Sequence, residues 1–266
     1  MRKEVEELQE DEGAKEKNGN AAAFFDLDGT LAPLPSLEWR FFLMLRYRML
    51  IGIRNYFLWC MEAVRLIPAG INQVLHANKM YLRGISFVEK DLLKAPTFYP
   101  EAIERMVWHA ERGHLMVIVS GTLEPLAERA ARALEAELGE RGLATKICVC
   151  ATRLEVKYGR CTGRILGEAM FGEAKARAVR QIAAEENLDL RRCFAYGDSA
   201  SDRWMLEVVG KPAAVNPSND LARIARRNDW PVWAWGKEKT FTRRTQGPGE
   251  SEHELQVARA KVGFRI

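Results

Sequence analysis

Residues 21–30 read Ala-Ala-Ala-Phe-Phe-Asp-Leu-Asp-Gly-Thr, a short apolar run that ends in two carboxylates and a glycine. A continuous apolar run, as opposed to an alternating one, is the pattern of a strand buried on both faces. Asp26 and Asp28 stand at i and i+2 and would share one side of a regular strand, but Gly29 turns the chain there. Acids at the carboxyl end of a central strand lie where open α/β sheets bind ligands. Two acids this close repel unless a cation lies between them, and Mg2+, a hard cation with oxygen ligands, meets that need. Taken singly, the stretch equally describes a capping Asp followed by an Asp-Gly turn.

The pattern recurs along the chain. Leu115–Ser120, Ile147–Ala151, Cys193–Gly197 and Ala213–Asn216 are further short apolar runs. Helical stretches separate them: Pro100–Arg112 stopped by Gly113, Glu124–Leu138 stopped by Gly139, Gly172–Asn187, Asp202–Val209, and Ser218–Arg227 with Ser218 as N-cap. This alternation predicts an α/β fold, a Rossmann-like parallel sheet with helices on both faces.

One segment breaks the alternation. From Leu37 to Lys94 almost no strand pattern is present, which predicts an inserted all-helical domain. The expected organisation is an α/β core at 21–33 and 96–236, a helical insertion at 34–95, a charged N-terminal extension at 1–20 and a solvated tail at 237–266. Within the insertion, 16 of the 21 residues from Phe41 to Met61 are apolar, with Arg46, Arg48 and Arg54 interspersed. The length permits a membrane span, but each arginine near the centre of one costs about 2.5–3.5 kcal/mol. The three arginines do not gather on one helical face. The expectation is a packed helix pair with arginines at its edges; the alternative is a surface for membranes or greasy substrates.

Composition narrows the function classes. The chain has 266 residues, 47% of them hydrophobic and 29% charged, with a net charge of +4. That fits a globular protein with a sizeable core, and the charge is too weak to imply nucleic acid. Five scattered cysteines exclude a dense disulfide scaffold. Cys148 and Cys150 read as buried small hydrophobes on a strand, and the four histidines show no ligand spacing. Residues 1–20 carry seven acids and four bases and show no signal-peptide pattern, so a cytoplasmic protein is expected.

Three more strings carry chemistry. Ser120-Gly121-Thr122 ends the second apolar run, where a hydroxyl and free backbone N–H groups can hold phosphate oxygens or merely cap a helix. Lys175 lies early in a predicted helix, where the helix dipole disfavours a cation, so it is either a solvated lysine or a cation aimed at a phosphoryl group. Gly197-Asp198-Ser199-Ala200-Ser201-Asp202 again places acids at a strand end.

In this order, the four strings resemble the motifs of the haloacid dehalogenase superfamily of phosphatases, over roughly residues 21–236. The helical insertion resembles the type I cap of that superfamily. Gly-Asp-Ser-x-x-Asp, the stretch Glu155–Gly163 and the late Trp230-Pro231-Val232 resemble the phosphoserine-phosphatase-like branch, subfamily IB. The resemblance implies a Mg2+-dependent phosphomonoester hydrolase. Asp26 would be the nucleophile that forms an aspartyl-phosphate, and Asp28 the acid and base. Ser120, Gly121 and Lys175 would hold the phosphoryl oxygens. Asp26, the Asp28 carbonyl and Asp198 would hold Mg2+. Thr30 would orient the nucleophile loop, and Asp202 would support the metal shell or orient Lys175.

The chain departs from the branch where phosphoserine phosphatases carry a substrate-reading glutamate. Position 35 is Pro, and the nearest Glu is Glu38. The insertion is instead rich in Trp39, Phe41, Phe42, Tyr47, Tyr56, Phe57 and Trp59, which would suit a less polar leaving group such as a lipid phosphate, of lysophosphatidic acid or phosphatidylglycerophosphate type, or would simply form the insertion's core. Phosphotransfer to another alcohol, a non-catalytic binding role on the same fold, and peripheral membrane contact through the insertion are the remaining alternatives.

Overall fold

The computed structural model describes residues 20–87, 93–94 and 96–236. The predicted extension at 1–20, apart from its last residue, and the tail at 237–266 lie outside them. Strand β1 (Ala22–Phe25) is followed by helices α1 (Leu37–Tyr47), α2 (Ile53–Leu66) and α3 (Ile71–Ala77). Then come α4 (Pro100–Glu111), β2 (Leu115–Leu123), α5 (Glu124–Glu140) and β3 (Ile147–Thr152). A hairpin of β4 (Leu154–Lys157) and β5 (Arg160–Ile165) precedes α6 (Glu173–Glu185) and β6 (Phe194–Gly197). The chain continues through α7 (Arg203–Leu206), β7 (Lys211–Val215), α8 (Asn219–Arg227) and β8 (Val232–Trp233).

Six strands form one parallel sheet in the order β3-β2-β1-β6-β7-β8. The order reverses between β1 and β6, so a crevice opens at their carboxyl ends. Every residue of β1 is buried, as its unbroken apolar run predicts. Ala23 and Phe25 face one core, with α1, α4 and α5; Ala22 and Phe24 face the other, with α6, α7 and α8. Burying each phenylalanine contributes about 1.5–3 kcal/mol. The predicted helices form with small shifts at their ends. Helix α5 runs one residue through Gly139 before it stops, and Ser218 caps α8 by accepting from the Leu221 N–H.

Several sequence expectations are corrected. The expected packed pair is half right. Helix α1 buries Leu37, Phe41 and Leu45 against the core, but α2 has no buried residue at all. Trp39, Tyr47, Tyr56 and Phe57 are exposed, so they are not an insertion core. Cys148 is exposed and Cys150 only partly buried, because β3 is an edge strand. The turn of the β4–β5 hairpin is Tyr158-Gly159, both at positive φ.

Candidate active site

The end of β1 delivers Asp26 to the crevice. Its backbone N–H donates to the Tyr196 carbonyl at 2.9 Å, which extends the β1–β6 pairing by one residue. Gly197 ends β6 and Asp198 follows it directly, so the two central strands aim their acids at the same space. Oxygens of Asp26, Asp198 and Asp202 all lie within 4.8 Å of one another.

Lys175 joins the cluster from the first turn of α6. It is buried, and its Nζ donates to Asp26 Oδ1 at 2.5 Å and to Asp202 Oδ1 at 2.6 Å. Of the two readings of this lysine, the solvated one is excluded. Asp202 is fully buried, and its other oxygen accepts from the backbone N–H groups of Asp198 and Ser199 and from the Ser199 hydroxyl. Both Asp202 oxygens are thus engaged in fixing Lys175 and the β6–α7 loop.

Two glycines make this closeness possible. Gly29 has φ +96°, and a Cβ there would overlap the Asp198 carboxylate. A Cβ on Gly197 would overlap Asp202. Side chains at either place would push the acids out of the crevice.

The electrostatics follow from burial. Burial raises the Asp26 carboxyl to about 7, with Lys175 pulling it down and Asp202 pushing it up. Burial, Asp26 and Asp202 together raise Asp198 to about 9. Three acids against one lysine leave this pocket short of positive charge. An all-oxygen donor set with that deficit fits a hard divalent cation such as Mg2+.

Asp28 stands to one side. Its Oδ1 accepts from the Leu37 N–H, the first N–H of α1, at 2.8 Å. Burial raises its carboxyl, and the Leu37 N–H lowers it, as does the Thr122 hydroxyl, which approaches without closing a hydrogen bond. Ser120 is buried in β2, where its Oγ accepts from the Thr122 N–H at 3.2 Å. The N-cap of α5 is Leu123, so Ser120 is not a helix cap. A shift in the β2–β3 register falls between Ser120 and Leu123, at Gly121 and Thr122. Thr30 is fully buried in the loop after β1, and its hydroxyl has no hydrogen-bond partner.

These residues border one cavity of about 740 Å³. Asp26, Asp28, Ser120, Gly121, Lys175 and Asp198 all line it, while Thr30 and Asp202 lie behind its wall. The opposite wall comes from the helical segment and is largely aromatic: Trp39, Phe42, Tyr56, Trp59 and Tyr81. His76 completes it by stacking on Phe171, with ring centroids 3.6 Å apart, and burial lowers its imidazole to about 4.

The sequence reading did not foresee Lys79 and Tyr81. Glu38 Oε1 accepts from Lys79 Nζ at 2.5 Å and from the Tyr81 hydroxyl at 2.6 Å. Glu38, the one acid on the aromatic wall among the described residues, is therefore neutralised from within. Lys79 is buried and so requires a partner, but the polar residues around it, His76, Asn78 and Arg83, gave no sequence signal of that burial.

The family model for haloacid dehalogenase-like hydrolases matches residues 23–207, and the chain belongs to that family. The "Inhibition of morphological differentiation protein" of Streptomyces azureus is 36% identical over 169 residues, which cover 63% of this chain and 57% of that protein. The chain thus spans little more than half the length of that curated relative. Phosphoserine phosphatase SerB1 of Mycobacterium tuberculosis is 31% identical over 232 residues, covering 80% and 70% of the two chains. A solved protein of unknown function from Bordetella pertussis Tohama I superposes with a TM-score of 0.60 at 29% identity, covering 80% of this chain and 98% of that one.

Proposed function

We propose that this protein is a phosphomonoester hydrolase that works through an aspartyl-phosphate on Asp26. The observation that carries this reading is the convergence of Asp26 and Asp28, Lys175, and Asp198 on one cavity from three separate parts of the chain. The similarity to a named phosphoserine phosphatase supports it.

Asp26 attacks phosphorus with a carboxylate oxygen while the bond to the leaving oxygen breaks. Lys175 holds Asp26 Oδ1, which fixes the direction of attack. Asp28 gives its proton to the leaving oxygen. It then takes a proton from the water that attacks the aspartyl-phosphate, which frees inorganic phosphate and restores Asp26. The Leu37 N–H fixes Asp28 Oδ1, so the second oxygen is the one that handles the proton. Ser120, the Gly121 N–H and Lys175 hold the phosphoryl oxygens. Asp26, Asp198 and the Asp28 carbonyl would hold Mg2+, which supplies charge neutralisation for the approach of two anions. Asp202 is a positioning residue, because both its oxygens are spent on Lys175 and the loop. The helical segment serves as the cap over the cavity.

The Glu38–Lys79–Tyr81 cluster favours a leaving group other than serine. An acid already bound to a lysine is a poor receptor for a substrate ammonium, and the aromatic wall suits an apolar body. A lipid-phosphate type of substrate is the second reading on this ground. The test is turnover of an aryl phosphate, phosphoserine and lysophosphatidic acid, with Mg2+ or EDTA, beside Asp26→Asn. Mg2+-dependent turnover lost in Asp26→Asn is expected. Turnover that survives Asp26→Asn would overturn the mechanism, and a clear preference for phosphoserine would overturn the apolar leaving group.

A further inference from the structure

The helical segment shows an apolar face turned the wrong way for a soluble protein. In α2, Ile53, Phe57, Met61 and Val64 recur at the spacing of one helical stripe, and all are exposed, at 89, 64, 57 and 67%. Tyr47 at the end of α1, Met49 in the α1–α2 connection, Ile67 just after α2 and Ile71 at the start of α3 extend the exposed apolar surface at both ends of α2. Scattered exposed apolar residues need no explanation, but a continuous set of this size marks an interaction surface.

Charge identifies the partner. Residues 37–87 hold seven Lys and Arg against two acids, so this segment is net positive while the rest of the chain is close to neutral. Both acids are committed, Glu38 to Lys79 and Glu62 to Arg65. Arg46, Arg48 and Arg54 are exposed and have no acidic partner among the described residues. Apolar side chains flanked by unpaired arginines match the interface of a bilayer that carries anionic headgroups. No helix among the described residues is long and apolar enough to cross a membrane, so the contact would be peripheral.

The cavity opens onto the same segment. Leu34, Trp39, Tyr56 and Leu75 line the cavity and are also exposed, which places them at its mouth. We infer that α2 and its flanking turns dock this protein on an anionic phospholipid surface, with the cavity mouth at that surface. The docking rests on the helical face alone and stands whether or not the catalytic reading does.

The test is co-sedimentation of the full chain with vesicles of phosphatidylcholine alone and of phosphatidylcholine with 30% phosphatidylglycerol, a composition set by the experimenter. Binding to the anionic vesicles is expected, at least tenfold tighter than to the neutral ones, and weaker in high salt. The variant Ile53→Glu/Phe57→Glu should lose at least tenfold in vesicle affinity, and Arg46→Gln/Arg48→Gln/Arg54→Gln should lose the preference for anionic vesicles. None of these five residues lines the cavity, so turnover of a small aryl phosphate, or the circular dichroism spectrum if no ester is turned over, serves as the folding control. Absence of vesicle binding by the folded protein would overturn the proposal. So would equal binding by the Ile53→Glu/Phe57→Glu variant. A concentration-dependent dimer that this variant abolishes, without vesicle binding, would reassign the face to a second copy of the chain.

Discussion

Asp28 Oδ1 accepts a 2.8 Å hydrogen bond from the backbone N–H of Leu37, the residue that begins the first helix of the insertion. The proposed proton donor is therefore held by the helix that starts the wall over the substrate. Ser36 caps the same helix by accepting from the Trp39 N–H. Asp28 takes the place of a second cap, so the geometry of the acid and of the helical segment are fixed together.

This arrangement makes Asp28→Asn an informative variant, because an amide oxygen can still accept from Leu37. The fold should be retained and only proton transfer lost. General acid catalysis contributes typically 10²–10⁴-fold where the leaving oxygen is basic. Turnover of an alkyl phosphate should fall in that range, and turnover of nitrophenyl phosphate, whose leaving group needs little help, should fall far less. Steady-state kinetics on the two esters check this. Equal losses on both would remove Asp28 from the acid role.

Lys175→Met should cost both activity and stability. It leaves Asp26 and Asp202 buried without their cation, and breaking a buried pair in this way costs about 3–5 kcal/mol. A large fall in Tm is expected by calorimetry, together with loss of turnover. Adding Asp202→Asn should restore part of the Tm and none of the turnover, because it removes one orphaned charge without replacing the cation. A Tm unchanged by Lys175→Met would mean that the triad contributes little to the fold.

Gly29→Ala should act on metal affinity. The new methyl would overlap the Asp198 carboxylate, and its backbone is held at a φ that alanine resists. Titration calorimetry with Mg2+ should show at least a tenfold weaker complex, alongside a stability loss of about 1–3 kcal/mol. Unchanged Mg2+ affinity would place the cation elsewhere.

The position of these acids was legible in the sequence, and the reason is physical. Asp26 and Asp198 each follow an unbroken apolar run, and a charged residue at the end of a buried strand has few places to go. Lys175 was legible as a conflict, a cation at the wrong end of a helix. Glu38, Lys79 and Tyr81 were not, because their meeting depends on how short helices turn over the cavity, and no period encodes that. The stripe of α2 shows the same limit. Spacing reveals that a helix has an apolar face but not which way it looks. The exposure of Cys148 was hidden likewise, since a strand's place at a sheet edge is a property of topology.

Acid should destabilise the fold through a second polar cluster, behind the sheet. His109 Nδ1 lies 2.8 Å from His114 Nδ1, and His109 Nε2 lies 2.9 Å from the Tyr196 hydroxyl, which also accepts from Arg105. Burial and the nearby cations Arg105, Arg112 and Lys211 lower both imidazoles, His114 to about 4 and His109 well below its usual value. In the unfolded chain they titrate near 6.5, so between about 6.5 and 4 the unfolded state binds more protons. Their contribution is fully present above about 6.5 and is lost as pH falls through that window, by up to about 1.4 kcal/mol per pH unit for each imidazole. Urea unfolding at several pH values should show a shallower slope in His114→Gln than in the parent. An identical slope would assign the acid sensitivity to other groups.

The reversal of strand order between β1 and β6 has a consequence for how the site comes into being. Asp26 and its lysine are 149 residues apart in the chain. At a synthesis rate of about 5–20 residues per second, roughly 7–30 s separate their appearance on the ribosome. Throughout that interval β1 lacks its central neighbour, and Asp26 has neither its lysine nor the acid that would share a cation with it. On the proposed mechanism, a nascent chain cannot hydrolyse an ester before Asp198 has been added. On that mechanism reactivity waits for β6 to join β1, which would make turnover a direct report that the two halves of the sheet have closed.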